Sequence, residues 1–231
     1  QKPFDNESPS NLGLNFHFNK GSNFSQLPAN WLMVTGGRQE NAITARTSSI
    51  RYLAEYAVVF HRPMLYPRWF HASAYAFGHL YVVGGLSDLP DFKKCERFDF
   101  DSEEWEEIPE VPVPVDCCAS TVKEDTLKLY IIGGESSAHN FKALELVQEL
   151  DLASLVWRTI SIAFPQRPDL PVAFIMDNDV GVMLNCSIYK LDLRMKPWCM
   201  CNRQSSVTPP TILQCIETEL STFRPFMRFT S

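Results

Sequence analysis

The segment LYVVGG at residues 80–85 decides the fold of this chain, because it recurs at a nearly constant interval. A close copy, LYIIGG, lies at residues 129–134, and a looser copy, LMVTGG, lies at residues 32–37. The first glycines of the three copies, at positions 36, 84 and 133, are 48 and 49 residues apart. Self-similarity at such a period is the signature of a repeat architecture, so we expect one structural unit to recur along the chain.

A second motif recurs in phase with the first. It consists of an aspartate between two apolar residues, followed six residues after the aspartate by a tryptophan. The three pairs are Asp99 and Trp105, Asp151 and Trp157, and Asp192 and Trp198. The two motifs recur at the same interval along the chain, which argues against a chance match. Together they mark where each repeat unit lies.

The unit at residues 70–109 is predicted to contain four strands. Residues 71–77 form a short mixed strand, and residues 80–85 are continuously apolar, as in a strand buried on both faces. Residues 94–100 alternate between polar and apolar side chains, and residues 105–108 form the last strand. Each repeat is therefore expected to form a small four-stranded antiparallel sheet.

Helix propensity in two segments competes with this assignment. Residues 42–59 and residues 142–149 could each be assigned to a helix from propensity alone. Both segments fall where the repeat phase requires a loop and a third strand. We therefore give precedence to the phase and predict no helix longer than about two turns.

The paired glycines and the tryptophans have separate physical roles in this scheme. A side chain at a paired glycine is expected to collide with a backbone or aromatic ring that packs over the strand end. Each tryptophan supplies a large apolar surface that fills the wedge between neighbouring sheets. Short strands, glycine pairs and tryptophans together predict a radial array of small antiparallel sheets.

These residues resemble the kelch repeat family of β-propellers. The resemblance rests on PRWFHASA at residues 67–74, on the glycine pair that follows, on CERFDF at residues 95–100, and on Trp105. It implies an all-β, kelch-type β-propeller with four recognisable four-stranded blades within residues 22–201. The flanks are residues 1–21 and residues 202–231, and we expect them to contribute an incomplete fifth blade or a closing strand.

Two of the four units depart from the kelch pattern. The first unit has Leu53 at the position of the aspartate and Val59 at that of the tryptophan, so its outer wedge is expected to be less filled. The fourth unit has VMLNC at residues 182–186, where the glycine pair is expected. The period also limits the chain to fewer than five units, whereas kelch propellers usually have about six blades.

The charge balance argues against two classes of function. The chain of 231 residues has 21 basic and 27 acidic residues, which gives a net charge of −6. Nucleic acids and anionic membranes require clustered Lys and Arg, and no segment approaches the roughly 18 apolar residues of a membrane-spanning helix. We therefore expect no nucleic-acid partner and no membrane insertion. The odd number of cysteines, seven, favours reduced thiols and a cytoplasmic location.

Candidate catalytic and metal-binding residues are scarce. No two of the five histidines stand at metal-ligand spacing with cysteine or acidic partners. The cysteines at 117 and 118, and those at 199 and 201, lack the two-residue gap of a zinc site. The sequence contains neither a glycine-rich phosphate loop nor a nucleophile elbow. It therefore predicts a protein that is not an enzyme and has no metal or cofactor.

Kelch propellers commonly bind protein partners through loops on one face. The resemblance implies that the corresponding loops of this chain form a partner-binding face. The loops that follow two of the glycine pairs, residues 86–93 and 135–142, are expected to lie side by side. The acidic segment at residues 103–107 is instead interpreted as a solvated sheet edge. The predicted partner-binding residues are Arg68, Trp69, Phe92, Lys93, His139, Phe141 and Lys142.

Each of these assignments has a structural alternative. Trp69 and Phe141 can equally pack between blades, and Arg68 can equally pair with backbone carbonyls or with Asp116. Phe92 and Phe141, each eight residues after the first glycine of its pair, can instead clamp their own loops onto the blade. For the whole chain, the resemblance implies a protein–protein interaction module, as in kelch substrate adaptors of ubiquitin ligases. The alternative is a structural subunit embedded in a large assembly, or a scaffold associated with the cytoskeleton.

Overall fold

A computed structural model describes residues 23–27, 31–39, 42–52, 56–164, 171–176, 178–184, 187–191 and 199–200. The chain divides into two compact units, Gln1–Cys199 and Met200–Ser231, and nearly all described residues belong to the first. The described residues form strands, together with 3-10 turns at Glu124–Thr126 and Ser137–His139, and contain no α-helix. The predicted all-β class is confirmed, whereas the predicted limits of the repeat region stay a prediction.

The first two sheets each contain four strands. The strands of the first sheet and its inserted hairpin are β1 (Asn23–Leu27), β2 (Trp31–Thr35), β3 (Arg38–Gln39), β4 (Ala42–Ile43), β5 (Thr47–Tyr52) and β6 (Tyr56–Phe60). The strands of the second sheet are β7 (Ala72–Ala76), β8 (His79–Val83), β9 (Cys95–Asp99) and β10 (Glu104–Ile108). The strand orders are β1-β2-β5-β6 and β7-β8-β9-β10, with β3 and β4 paired separately. All neighbouring strands are antiparallel, as the repeat predicts.

The third and fourth sheets repeat this plan. The strands of the third sheet and its hairpin are β11 (Ala119–Lys123), β12 (Lys128–Ile132), β13 (Glu135–Ser136), β14 (Lys142–Ala143), β15 (Leu146–Asp151) and β16 (Trp157–Ser161). The strands of the fourth sheet are β17 (Val172–Met176), β18 (Asp179–Leu184), β19 (Ser187–Leu191) and β20 (Cys199–Met200). The orders are β11-β12-β15-β16 and β17-β18-β19-β20, with β13 and β14 paired separately. The four predicted blades are confirmed, and both segments with competing helix propensity contain strands.

The first strands of successive sheets lie beside one another. Strand β1 packs beside β7, β7 beside β11, and β11 beside β17. The hydroxyl of Ser120 on β11 donates a hydrogen bond of 2.9 Å to the carbonyl oxygen of Ser73 on β7. Successive sheets therefore meet along their first strands, which is the radial arrangement of propeller blades.

The apolar strand β8 is buried on both of its faces. Leu80 and Val82 pack in one cluster with Met33 of the first sheet. Tyr81 and Val83 pack in a second cluster with residues of the third sheet, including Leu129. Because the strand lies between two neighbouring sheets, alternate side chains enter two different cores, and the whole strand must be apolar.

The recurring aspartate closes a turn through two local hydrogen bonds. The Asp99 side chain accepts hydrogen bonds from the backbone amides two and three residues further on, at 2.7 and 3.2 Å. The Asp151 side chain does the same at 3.0 and 2.8 Å. These bonds close the turn before the last strand, and they lower the pKa of Asp99 below its usual value.

The tryptophans tie each blade to the preceding one. The indole nitrogen of Trp105 donates to the carbonyl oxygen of Arg62 at 2.9 Å, and that of Trp157 donates to the carbonyl oxygen of Pro109 at 2.8 Å. Both acceptors lie just beyond the last strand of the preceding sheet. The two tryptophans occupy equivalent positions in their blades, as predicted. Their burial differs, because Trp105 is buried and Trp157 is half-buried. Trp198 lies outside the described residues.

Close backbone approach explains the paired glycines. At Gly84, which has a φ of +59°, a Cβ atom would lie 2.3 Å from the carbonyl oxygen of Val115. At Gly134, which has a φ of +87°, a Cβ atom would lie 2.5 Å from the carbonyl oxygen of Asp116. The expected collision is confirmed at both positions.

The departures from the kelch pattern are only partly visible. In the first sheet, Val59 at the tryptophan position is 38% exposed, in agreement with a less filled outer wedge. Leu53, the residues after Leu184 that replace the glycine pair, and the flanks expected to supply a fifth blade lie outside the described residues.

Candidate functional site

The two loops that follow the glycine pairs of the second and third sheets border one cavity. Its volume is about 370 Å³. Residues 85–92 line it from the first loop, and Ser137 and Phe141 line it from the second. The prediction that these loops lie side by side is therefore confirmed. Its lining mixes apolar residues with two serines and two aspartates, and its volume lies in the range of ligand-binding clefts.

Both loops begin with the same backbone geometry. Trp69 and Leu86 exchange two backbone hydrogen bonds of 3.0 and 2.8 Å. Asp116 and Glu135 exchange two of 2.9 Å each at the equivalent place in the next blade. Each bridge joins the start of a repeat to the residue after its glycine pair. The repeat therefore places the two loops equivalently, and differences between them arise from side chains.

Phe92 lies beneath the first loop. Its side chain is only 4% exposed. The Cζ atom of the Arg68 guanidinium lies 4.7 Å from the centre of its ring, and the Tyr66 ring packs edge-on at 6.0 Å. A cation over an aromatic face is stabilising, particularly where water is excluded. Phe92 is therefore the buried part of the cavity lining and a clamp for its loop.

Arg68 is fully buried and holds backbone rather than a partner. Its guanidinium donates hydrogen bonds to the carbonyl oxygens of Gly84 and Lys94, at 2.9 and 2.6 Å. It also forms an ion pair of 2.6 Å with the buried Glu96 carboxylate. That carboxylate accepts a further bond of 2.6 Å from the backbone amide of Leu65. Desolvation of this buried pair lowers the pKa of Arg68 and raises that of Glu96.

Two predicted partner contacts are therefore corrected. Arg68 and Phe92 have side chains that a partner cannot reach, because both are packed under the first loop. For Arg68 the alternative of pairing with carbonyls is right, but its acidic partner is Glu96 and not Asp116. For Phe92 the clamp is right.

Sequence reasoning missed a buried polar side chain that binds the preceding linker in two blades. Gln148 is buried, and its amide both accepts from the backbone nitrogen of Val113, at 2.8 Å, and donates to its carbonyl oxygen, at 3.0 Å. Glu96 performs the same task in the second sheet by binding the linker amide of Leu65. Each polar residue stands three positions before the recurring aspartate of its blade, which is a signal that comparison of the repeats could have revealed.

The remaining predicted contacts in the two loops are accessible. Phe141 lines the cavity and is 54% exposed, so it does not clamp its loop. Lys142 beside it is exposed, and Lys93 is partly exposed. His139 ends the 3-10 turn Ser137–His139, and its side chain lies outside the described part of the structure.

Trp69 has both a packing role and an accessible surface. Its ring stacks on Phe70 with centroids 4.5 Å apart, and the Arg38 guanidinium lies 5.2 Å from the ring centroid. Arg38 belongs to the hairpin of the first sheet, so this contact links two neighbouring blades. Trp69 is nevertheless partly exposed, on the same side of the blades as the loop bridges.

Both charged residues that line the cavity are acidic. Asp88 and Asp91 are exposed and lie on either side of Leu89 and Pro90. Leu89 is itself 53% exposed. Neither aspartate forms an ion pair with another residue in the described part of the chain. The cavity therefore combines exposed apolar side chains with two negative charges that no described residue pairs.

The acidic segment at residues 103–107 has a different electrostatic character. Its ion pairs join Arg62 to Glu104, Arg97 to Glu106, and Lys94 to Glu107. The Tyr66 hydroxyl also donates to Glu107, at 2.8 Å. Basic side chains of the same blade and its linker thus compensate these carboxylates, in keeping with a solvated edge.

Burial shifts the pKa values of several titratable groups below this face. Burial lowers the pKa of His71 to about 3 and raises that of Asp116 to about 6. Burial also raises the pKa of the Cys95 and Cys117 thiols to about 12, so neither supplies a thiolate at neutral pH. Among the residues the structure describes, no cluster of His, Cys, Asp or Glu is arranged to hold a metal ion. The same residues include no apolar helix of membrane-spanning length.

Four-stranded antiparallel sheets that meet along their first strands define the β-propeller class of protein. The family model described as the Kelch motif matches residues 70–112, which contain β7 to β10. The chain therefore carries a kelch motif, and its fold is that of a kelch-type β-propeller.

A solved structure, described as the structure of YjhT, is similar to this chain. The two share 12% sequence identity with a TM-score of 0.63. The similarity covers 81% of this chain and 66% of the YjhT chain, so this chain spans slightly less than two thirds of its length. At this identity the likeness concerns the fold alone.

Proposed function

We propose that this protein is a non-catalytic interaction module that binds a protein partner at the cavity between residues 86–93 and 135–142. One observation carries the proposal: two large apolar side chains that line the cavity, Phe141 and Leu89, are 54% and 53% exposed. Kelch motifs generally mediate protein–protein interaction. A rigid blade scaffold is well suited to presenting such loops.

The accessible surface around the cavity supports this function. Phe141 and Leu89 expose large apolar areas side by side, and covering them would be favourable by about 25 cal/mol per Å². Trp69, Lys93 and Lys142 do not line the cavity, and they remain proposed contacts for parts of the partner outside it. Aromatic side chains in such pockets commonly contribute most of the binding energy.

The thiols support an intracellular role for this module. Cys95, Cys117 and Cys118 carry free thiols, and Cys95 is buried. We place the protein in the cytoplasm, where thiols stay reduced. The high thiol pKa values and the neutral state of His71 support the assignment to a protein that is not an enzyme.

Affinity capture with matched surface variants tests the proposal. Phe141→Ser removes the exposed ring at the cavity, whereas Phe77→Ser removes a ring of similar exposure, 51%, from the turn between β7 and β8. That turn lies at the opposite end of β8 from the cavity loops. Proteins captured from native extract by the parent and by Phe77→Ser should be lost with Phe141→Ser. Identical capture by all three proteins would place binding elsewhere.

A permanent structural subunit is the second candidate, and a separate apolar area favours it. Phe60, at the end of the outer strand β6, is 70% exposed, and Leu65 in the following linker is 49% exposed. Stable co-migration with one large complex in size-exclusion chromatography, abolished by Phe60→Ser and kept by Phe141→Ser, would support this role. Capture that exchanges quickly and depends on Phe141 would support the interaction module.

A further inference from the structure

We infer that the partner segment at this cavity is a basic peptide in which a large apolar side chain is flanked by Lys or Arg. This inference rests on the proposed function, because it names the chemistry of the ligand at the same site. It follows from the shape of the cavity and from the sign of the charges that line it.

The apolar part of the cavity calls for an inserted side chain. Phe92 anchors the first loop from beneath, with the Arg68 guanidinium 4.7 Å from its ring centre, so this wall of the site does not have to form on binding. Leu89 and Phe141 supply exposed apolar surface around it. With a volume of about 370 Å³, the cavity admits the side chain of a peptide residue rather than a folded domain.

The charges of the cavity determine which residues can flank the apolar side chain of the peptide. Asp88 and Asp91 line the cavity, are exposed, and have no ion-pair partner in the described part of the chain. Lys93 and Lys142 are near in sequence but do not line it. A cation that reaches this rim therefore finds acceptors that are not already paired. A phosphate or a second carboxylate is repelled, so charge complementarity favours a basic peptide over nucleic acid or an acidic peptide.

The first experiment compares two labelled peptides by fluorescence polarisation. They share a central Leu-Phe pair and differ only in the flanking residues, which are lysines in one and glutamates in the other. At low ionic strength the basic peptide should bind at least about tenfold more tightly, and the difference should shrink as salt is added. Equal affinity, a preference for the acidic peptide, or no binding of either would overturn the inference.

A charge-matched pair of variants then locates the preference. The double variant Asp88→Asn, Asp91→Asn removes both carboxylates, and Asn tolerates the positive φ of +48° at position 91. We expect the preference for the basic peptide to fall about tenfold, to near equality. The control, Asp101→Asn with Glu124→Gln, removes two exposed carboxylates that do not line the cavity, and it should keep the preference. An equal reduction in both double variants would assign the effect to net charge and overturn the placement.

The outcomes separate this inference from the proposed function. If the peptides fail but capture from extract still depends on Phe141, the module binds a partner of different chemistry and only the inference is wrong. If capture is also independent of Phe141, the proposed binding face is wrong as well. Thermal unfolding of each variant confirms that the comparison concerns folded protein.

Discussion

The loops at residues 86–93 and 135–142 begin at the same place in the repeat, yet their phenylalanines have opposite environments. Phe92 is 4% exposed and Phe141 is 54% exposed, although each lies eight residues after the first glycine of its pair. The difference begins at the repeat starts, where Arg68 in one blade corresponds to Val115 in the next. The carbonyls of these two residues accept equivalent bonds from glycine amides. Only Arg68 carries a guanidinium that draws an aromatic ring down over it.

The comparison shows how a repeat separates scaffold from recognition. In the second blade, a buried ion pair and an aromatic clamp fix the loop from beneath. In the third blade, Gln148 performs the linker contact without charge, and Phe141 remains accessible. One loop therefore supplies the rigid base of the cavity, and the other supplies its exposed rim.

The largest expected effect concerns the buried ion pair. Arg68→Ala leaves Glu96 as an uncompensated buried carboxylate, and it should lower the free energy of unfolding by about 3–5 kcal/mol. Val115→Ala, at the equivalent position, should lower it by about 2 kcal/mol, because it removes only apolar contacts. Urea denaturation of both variants measures the difference. Equal losses would show that the charge pair does not distinguish the two blades.

The two phenylalanines should differ almost as strongly. Phe92→Ala should lower the free energy of unfolding by about 3 kcal/mol, because it opens a cavity beneath the first loop. Phe141→Ala should change it by less than about 0.5 kcal/mol, as is usual for an exposed side chain. Chemical denaturation with both variants tests this, and a large loss for Phe141→Ala would make it a second clamp.

Two glycine variants separate the cost of a steric clash at the second loop from the cost of a positive φ. Gly134→Ala and Gly78→Ala both place a side chain at positive φ, +87° and +78°. Only at Gly134 does the new Cβ meet a backbone atom, 2.5 Å away, whereas nothing lies within 4 Å at Gly78. We expect losses of about 3 and about 1 kcal/mol respectively. Thermal unfolding that shows equal losses would mean that the chain relaxes freely at the loop.

The last expected contrast is a pH dependence of opposite sign at the two repeat starts. The folded-state pKa of His71 is about 3, below its unfolded value of about 6.5, so its contribution to stability is present above pH 6.5 and is lost toward pH 3. The folded-state pKa of Asp116 is about 6, above its unfolded value of about 4, so its contribution is present below pH 4 and is lost toward pH 6. The two contributions oppose each other between pH 4 and 6.

Two variants separate these contributions. With Asp116→Asn, the free energy of unfolding should rise with pH more steeply than with His71→Gln, by about 2–2.5 kcal/mol per pH unit near pH 5. Denaturant titrations across that range measure both slopes, and background groups cancel in the difference. Identical slopes would show that neither group keeps a shifted pKa in the folded chain.

The sequence by itself determined the parts of the structure that depend on local and periodic chemistry. The period of the glycine pairs located three blades, because such pairs stand where a backbone carbonyl leaves no room for a Cβ, and the Asp192 and Trp198 pair located the fourth. The aspartates and tryptophans were likewise readable, since Asp99 closes a turn through its own neighbouring amides and Trp105 must fill a wedge.

Only the tertiary structure decided which side chains of the equivalent loops are buried. Arg68 and Glu96 are 28 residues apart, and nothing in their local sequence shows that they meet without water. Their pairing draws Phe92 into the blade, whereas no cation among the described residues lies over the Phe141 ring. Whether a loop side chain is buried depends on contacts between segments that are distant in sequence. A repeat pattern shows where equivalent residues lie, but not which contacts they make.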